Sequence, residues 1–507
     1  MKIYIACPKN CVAGGIELLH QLACELNSHK GVEAVMWYRG KDTVDPQPSR
    51  YNEYGNHYEI TETPDKNSIL LFPEIWAEDT NKPDYADYRK VIYWMSVDNY
   101  FTHAHKARNE ACNFQVELHL VQSEYARDFL INQVHVKPEM ILCLTDYINQ
   151  AYFANPGCRN RLPRVLYNPA KGLNFTKQII KALPNVEFKA IENMTMEKVI
   201  ELMDSSMLYI DFGNHPGKDR MPREAAMRGC VVITDTEGSA KYWQDVNIPD
   251  FYKIPCEKAN IPLITQRIQG ILEDYTHHVN NFQVYRTVIT KEPELFRFQV
   301  NSIVKRLYKP RFSIIIPAYN AAGHIQKALE SIEGQIFDDY ELIVVCDSCT
   351  DWTEQIAQSY GAITVKVDFH CDGPTRSKGL DIARGEYVLF MDDDDWWLHE
   401  YVLTQLDEKL KLEHEPDVLC FSFIFKGWKY ATPKGWGGKR WIATWNKCWK
   451  RTAIGDTRFP NVKMASDSHF HKAMMEKPLR IVDWDMPMYY YNFMRQGSQT
   501  EISRRQA

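Results

Sequence analysis

Residues 385–397 read GEYVLFMDDDDWW, and this stretch decides how the second half of the chain is interpreted. Tyr387 to Met391 form a short apolar run rich in strand-forming residues, which predicts a buried β-strand. Four aspartates, Asp392 to Asp395, follow where this strand ends. Carboxylates clustered in this way repel one another unless a cation lies between them, and such hard oxygen ligands suit Mg²⁺ or Mn²⁺ bound to a diphosphate. A solvated acidic turn is the alternative interpretation of the tetrad.

Strands and helices alternate in the sequence that precedes the tetrad. The runs 312–316 and 342–345 are apolar and have the length of buried strands. This alternation predicts a parallel α/β sheet, whose ligands collect at the carboxyl ends of the strands. Polar features follow three of the strands, at Pro317, Asp347 and Asp392. We therefore expect a binding site along this edge of the sheet.

Residues 311–507 resemble the GT-A catalytic domain of family 2 glycosyltransferases, because six sequence elements occur in the family's order. These are the P-x-Y-N turn (Pro317, Tyr319, Asn320), the acidic nucleotide loop (Asp347, Asp351, Thr353), the A-R-N-x-G segment (Arg376, Ser377, Gly379), the D-x-D-D motif (Asp392, Asp394, Asp395), the W-N-K stretch (Trp445, Asn446, Lys447) and the E-D pair (Ser466, Asp467). Two positions depart from the pattern. Cys346 replaces the first aspartate of the nucleotide loop, and Ser466 replaces the glutamate that precedes the last aspartate.

The resemblance implies a site for a nucleotide-sugar donor, with UDP as the expected nucleotide. Asp394 and Asp392 would hold Mn²⁺ or Mg²⁺, which neutralises the diphosphate leaving group. Asp467 would be the base that takes the proton from the acceptor hydroxyl, giving inversion, and a helix N-cap is its alternative role. The donor-binding residues that the resemblance implies in this domain are Pro317, Tyr319, Asp347, Arg376 and Asp392.

The first 300 residues contain two further α/β units. Residues 1–26 read as a strand, a loop with Gly14 and Gly15, and an amphipathic helix. Glycines before a helix let a phosphate approach its positive end, and a plain tight turn is the alternative. A second unit begins at Arg164. Together the two units resemble the paired Rossmann domains of a GT-B glycosyltransferase close to family 4, and residues 210–242 carry this resemblance.

In family 4 a glutamate near the start of the matching helix holds the donor ribose, and Glu224 occupies this position. A second glutamate usually lies eight residues earlier, where this chain has Pro216. Catalysis by this half is therefore left open. Four basic residues are candidates for binding diphosphate, or else are ordinary surface charges: Lys171, Lys218, Arg220 and Arg223.

The predicted fold class is α/β, with two Rossmann-like domains in a GT-B arrangement followed by a GT-A nucleotide-diphospho-sugar transferase domain. The expected boundaries are 1–155 and 160–290 for the Rossmann-like domains and 311–507 for the GT-A domain. Residues 291–310 carry few turn signals, which predicts a helix. This helix either connects the two modules or folds back over the first.

Between Lys426 and Arg451, eight basic residues and no acidic residue accompany five tryptophans, in a chain of net charge −6. Indole rings stack on sugars and on bases, and Lys and Arg neutralise phosphate. We assign Trp441, Trp445 and Lys447 to the binding of a glycan or glycoconjugate acceptor. One alternative is nucleic acid, with transfer to modified DNA bases as in phage-type DNA modification. The other is that the tryptophans belong to the core.

The composition is that of a globular protein, with 45% apolar and 25% charged residues. No apolar run has the length of a transmembrane helix. Thirteen scattered cysteines suggest reduced thiols and hence a cytoplasmic location. The function predicted for the chain is a bifunctional glycosyltransferase. The alternative is a single GT-A enzyme whose GT-B-like half is a non-catalytic acceptor-binding domain.

Overall fold

A computed structural model describes residues 1–40, 45–104, 112–153, 161–425, 429–435, 438–462 and 465–492. The chain divides into two compact units, Met1–Tyr308 and Lys309–Ala507. Within the described ranges, no helix combines the length and the apolar character that crossing a membrane requires. Twelve cysteines lie in these ranges and all are free thiols.

The first unit begins with a seven-stranded parallel sheet of order β3-β2-β1-β4-β5-β6-β7. Its strands are apolar runs that are buried because helices cover the sheet, as is typical of parallel sheets. The strands are β1 Lys2–Ala6, β2 Glu33–Arg39, β3 Tyr58–Thr61, β4 Ile69–Pro73, β5 Arg89–Trp94, β6 Leu118–Val121 and β7 Ile141–Cys143. The helices are α1 Gly14–Asn27, α2 Val97–Ala104 and α3 Glu124–Asn132.

A second parallel sheet, of order β11-β10-β8-β9, completes the first unit. Its strands are β8 Leu162–Tyr167, β9 Glu187–Ala190, β10 Ser206–Asp211 and β11 Val231–Thr234. The helices that accompany it are α4 Leu173–Ala182, α5 Met196–Asp204, α6 Arg220–Met227, α7 Ile261–Glu273 and α8 Tyr275–Asn280. Two α/β sheets in series agree with the α/β class and the parallel sheets predicted for this half.

The helix predicted over 291–310 is longer than expected, since α9 spans Gln283–Leu307. Its first half packs into the core of the second sheet through Tyr285 and Ile289. Its second half packs against the first sheet, with Phe296 and Val300 buried there. The helix therefore folds back over both sheets of the first unit, which decides between the two predicted alternatives.

The second unit contains one mixed sheet of order β14-β13-β12-β15-β19-β17-β20-β16, with β18 paired to β17. The first four strands are parallel, and β19 pairs antiparallel with β15. The strands are β12 Phe312–Ala318, β13 Tyr340–Asp347, β14 Ile363–Val367, β15 Tyr387–Phe390, β16 Trp396–Trp397, β17 Val418–Phe425, β18 Lys429–Ala431, β19 Lys447–Lys450 and β20 Ile481–Tyr491. The helices are α10 Ile325–Glu333, α11 Thr353–Ser359, α12 Asp372–Ile382, α13 Val402–Leu412, α14 Arg451–Ile454 and α15 Ser466–Met475.

Candidate active site

The aspartate tetrad follows β15, as predicted, and Asp392, Asp393 and Asp395 have different partners. Asp392 contacts the guanidinium of Arg376, and Asp393 lies 3.1 Å from Nε2 of His324. Asp395 is fully buried and accepts hydrogen bonds from the Tyr489 hydroxyl at 2.6 Å and the Asn492 amide at 2.8 Å. A tetrad with this many internal partners is not the solvated acidic turn of the alternative interpretation.

Negative charge is concentrated around Asp392. Burial, together with the carboxylates of Asp467, Asp372 and Asp394, raises the pKa of this carboxyl to about 7, against the opposing charge of Arg376. A divalent cation would relieve this repulsion, since carboxylate oxygens are the ligands that Mg²⁺ and Mn²⁺ prefer. The carboxylates at the end of β15 are thus of the type that these ions prefer, and metal binding by Asp392 and Asp394 stays a prediction.

Arg376 lies at the centre of this acidic group. Its buried guanidinium contacts Asp372 and Asp392, and its Nη1 lies 3.5 Å from Oδ1 of Asp467. These carboxylates raise the pKa of Arg376 well above its ordinary value although burial opposes them. The sequence assigned Arg376 to donor binding. The structure instead gives it the role of holding three carboxylates from different elements together.

Asp467 lies in the first turn of α15, where Ala465 is the N-cap residue. The alternative role of this aspartate as the N-cap is therefore wrong. Its Oδ2 accepts a hydrogen bond from the Thr444 hydroxyl at 3.2 Å, and the side chain is 23% exposed. Its Oδ1 is buried and accepts no hydrogen bond from the described residues. A buried carboxylate oxygen without a donor is costly, and a hydroxyl group of a ligand would satisfy it.

The carboxylate of Asp347, in the predicted nucleotide loop, is hydrogen-bonded by groups of the protein. Asp347 is buried, and its carboxylate accepts hydrogen bonds from the amides of Phe369, His370 and Cys371 and from the Thr375 hydroxyl, at 2.8–3.0 Å. Burial alone would raise its pKa, but these donors hold it below the ordinary value. Its oxygens thus hold the segment that leads into α12, and the assignment of Asp347 to the nucleotide base stays a prediction.

Aromatic side chains stand exposed on the loops at this edge of the sheet. Pro317 lies within β12, and Tyr319, just after the strand, is 61% exposed. Trp352, on the loop after β13, is 71% exposed and was not predicted. The two loops are joined, because the Thr350 amide donates to Asn320 Oδ1 at 2.8 Å. The D-W-T sequence of the second loop was the available signal for this exposed indole.

The predicted acceptor residues mostly lie in the interior. Trp445 packs between aromatic rings, 5.0 Å from Tyr489 between ring centroids. Lys447 is fully buried and donates to the Trp441 carbonyl at 2.7 Å and to Asn446 Oδ1 at 2.8 Å. Burial lowers the pKa of Lys447 to about 8. Direct acceptor contact by Trp445 and Lys447 is thus corrected, and of the three residues assigned only Trp441 is exposed.

The basic character of this segment is also partly neutralised inside the second unit. Arg440 and Lys434 both form ion pairs with Asp483, at 2.7 and 3.1 Å. Two of the five tryptophans, Trp428 and Trp436, lie outside the described residues. The described part of the segment therefore does not form the free basic and aromatic surface that a nucleic acid would need.

In the first unit, every basic residue assigned to diphosphate forms ion pairs with carboxylates of the chain. The pairs are Arg220 with Glu17 and Asp146 at 2.7 and 3.0 Å, Arg223 with Asp146 and Glu292 at 2.6 and 2.8 Å, Lys218 with Glu292 at 2.7 Å, and Lys171 with Asp219 at 2.6 Å. These residues are counterions of carboxylates within the unit and not ordinary surface charges, and their diphosphate role stays a prediction.

Gly14 and Gly15 open α1, as predicted. A Cβ atom at Gly14 would lie 3.5 Å from Cδ of Arg220, and one at Gly15 would lie 3.6 Å from Met95, which are ordinary contacts. The turn that leads into α1 therefore has no steric need for glycine.

Glu224 lies in the second turn of α6, and burial raises its pKa to about 7, with the neighbouring arginines opposing the shift.

A further cluster, which the sequence analysis missed, lies beside β10. Asp211, His215 and Asp219 are the only group of three metal-type ligands within 4.8 Å of one another among the described residues. Lys171 already lies 2.6 Å from Asp219. Although burial opposes it, the carboxylates of Asp219 and Asp235 raise the pKa of His215 to about 10. His215 and Lys171 are thus counterions of the carboxylates in this cluster. The D-x3-H-x3-D spacing was the sequence signal for it.

Residues 313–469 match the profile of the family described as Glycosyl transferase family 2. The matched residues lie within the second unit. TuaG of Bacillus subtilis, named for teichuronic acid biosynthesis, is 30% identical over 159 residues, which are 29% of this chain and 60% of TuaG. The poly(ribitol-phosphate) β-N-acetylglucosaminyltransferase TarS of Staphylococcus aureus is 36% identical over 117 residues, 22% of this chain and 20% of TarS. The chain thus spans 60% or less of the length of these relatives.

Two solved structures with bound UDP resemble parts of the chain. Residues 1–349 of S. aureus TarS in complex with UDP align with a TM-score of 0.33 and 28% identity, over 36% of this chain and 60% of that one. Anabaena HepE in complex with UDP and glucose aligns with a TM-score of 0.45 and 13% identity, over 61% of this chain and 100% of HepE. The predicted family 2 resemblance is confirmed for the second unit, and the GT-B resemblance of the first stays a prediction.

Proposed function

We propose that the protein is a glycosyltransferase whose catalytic centre lies in the second unit and acts by inversion. The observation that carries the proposal is the convergence on Arg376. Its guanidinium contacts Asp392 at the end of β15 and lies 3.5 Å from Asp467 at the start of α15. A carboxylate set suited to a metal and a candidate base, 75 residues apart in sequence, thus belong to one site.

The chemistry follows from the residues at this site. Asp392 and Asp394 would hold Mn²⁺ or Mg²⁺, which neutralises the diphosphate of the donor when bound. The acceptor hydroxyl oxygen forms a bond to the anomeric carbon while the bond to the nucleoside diphosphate breaks. Asp467 takes the proton of that hydroxyl. Arg376 keeps Asp467 beside the acidic group, and its own charge is balanced by these carboxylates and not by the donor.

A UDP-sugar is the donor that we propose, and a glycan or glycoconjugate is the acceptor. The UDP assignment rests on the family resemblance. The name of TarS, an N-acetylglucosaminyltransferase acting on poly(ribitol-phosphate), supports a carbohydrate-type acceptor for a related domain. Nucleic acid is disfavoured because the described basic residues between 429 and 451 are largely engaged within the unit.

Calorimetric titration of the full chain with UDP, with and without Mn²⁺, tests the site directly. We expect Mn²⁺-dependent binding of UDP to weaken by at least about tenfold in Asp394→Asn, because a metal ligand is lost. Asp393→Asn is the matched control, since this neighbour pairs with His324 instead. Equal metal-dependent binding by Asp394→Asn and the native protein would contradict the metal assignment.

For the first unit we propose a non-catalytic role, in positioning the acceptor. The support is that Lys171, Lys218, Arg220 and Arg223 already neutralise carboxylates of the chain. We expect Glu224→Gln to leave the set of reaction products unchanged when donors and acceptors are analysed by mass spectrometry. Loss of one of two products in this variant would instead establish the bifunctional enzyme that the sequence predicted.

A further inference from the structure

The start of α12 lies against the start of α15, and one carboxylate joins them. Asp372, the first residue of α12, contacts the guanidinium of Arg376 through Oδ2. The same oxygen accepts a hydrogen bond from the Ser466 hydroxyl at 3.0 Å. Ser466 immediately precedes Asp467. Asp372 thus touches both groups that determine where the candidate base lies.

The two elements are packed closely around this carboxylate. A Cβ atom at Gly373 would lie 2.3 Å from the Pro460 carbonyl oxygen and 3.2 Å from Cβ of Ser466, so only glycine fits there. The Phe459 amide donates to the Ser377 hydroxyl at 2.9 Å, farther along α12. These contacts leave Asp372 little freedom to move relative to the segment that leads into α15.

We infer that Asp372 is a positioning residue for the base, and that it supplies the negative charge that Ser466 lacks. The inference rests on the proposed function of the second unit. The family pattern has a glutamate at the position of Ser466, and here a carboxylate from α12 lies within hydrogen-bond reach of that position. It holds Arg376 through one contact and Ser466 through the other. Without this charge, Arg376 is balanced by Asp392 and Asp467 alone and moves relative to the base.

The test measures UDP release by the full chain from UDP-glucose, UDP-galactose and UDP-N-acetylglucosamine with Mn²⁺, with water as the acceptor of the glycosyl group. The best of the three donors is used for kinetics. We expect Asp372→Asn to lower kcat by about 10- to 100-fold, the effect of a misplaced catalytic group, while UDP binding measured by calorimetry stays unchanged. The double variant Asp372→Ser with Ser466→Glu moves the carboxylate from α12 to α15. It should recover most of the lost kcat.

Asp381→Asn is the matched control, because Asp381 lies on the same helix and pairs with Arg458 at the surface. It should leave kcat at the native value. A native kcat in Asp372→Asn overturns the inference and leaves the proposed function standing. A lowered kcat that the double variant does not recover, together with a lowered melting temperature, also overturns it, since the role is then structural. Absence of UDP release by the native protein with all three donors overturns the proposed function and this inference with it.

Discussion

Replacing Asp467 with Asn is expected to lower kcat by about 10²- to 10⁴-fold, the usual contribution of a positioned general base. The amide keeps the shape of the side chain but cannot accept the proton of the acceptor hydroxyl. Its carbonyl oxygen can take the place of Oδ1 beside Arg376, so the packing at the start of α15 is largely kept. The measurement is the rate of UDP release from the donor with Mn²⁺, in the native protein and the variant.

Two comparisons make this result specific. Binding of UDP by Asp467→Asn should equal that of the native protein, because Asp467 contacts Arg376 and Thr444 and is not part of the metal-binding set. Glu476→Gln, at the exposed C-terminal end of the same helix, should keep native turnover. A kcat within about threefold of the native value in Asp467→Asn would assign the base to another group, since loss of a base costs far more.

Much of the second unit could be predicted because its signals are local in sequence. The apolar runs at 312–316 and 342–345 lie within strands, and the run at 387–391 ends one residue after its strand. The tetrad follows its strand because residues adjacent in sequence need no tertiary information to be placed. The fold class and the parallel sheets could therefore be derived from periodicity and turn residues alone.

The partners of the site residues could not be predicted in the same way. Asp395 binds groups 94 and 97 residues away, at Tyr489 and Asn492. The donors that occupy Asp347 belong to a segment more than 20 residues farther along the chain. Sequence shows that a carboxylate is present, but whether its oxygens face a ligand or the protein depends on tertiary contacts. For the same reason the buried position of Lys447, a residue type that is almost never fully buried, was missed.

The first unit gives a larger example of this limit. Its basic residues were interpreted as candidate diphosphate ligands because Arg in particular can make paired contacts to phosphate. Their counterions are far away in sequence, since Arg223 reaches Asp146 and Glu292 across 77 and 69 residues. Only the fold reveals that these charges are already neutralised.

Asp146→Asn is expected to destabilise the first unit by about 3–5 kcal/mol, because it breaks a buried ion pair of this neutralised network. Asp146 and Arg223 are both fully buried, so in the variant the charged guanidinium would lose the carboxylate of Asp146 and keep only that of Glu292. Although burial opposes it, Arg223, Arg220 and Lys218 lower the pKa of Asp146 to about 2. The folded-state pKa lies below the unfolded value, so this stability is present above about pH 4 and is lost as the pH falls towards 2.

Hydrogen exchange of the full chain, followed by mass spectrometry on peptides from β10 and α6, measures this loss. The expected destabilisation corresponds to a rise in exchange of about 10²- to 10³-fold or more, at about 1.4 kcal/mol per decade. Glu187→Gln removes an exposed ion pair with Arg164 and should change exchange by no more than about 1 kcal/mol. If Asp146→Asn behaves like this control at pH 7, the network is not what stabilises the unit. Its cations would then be free to serve a ligand after all, and the first unit would again be a candidate for donor binding.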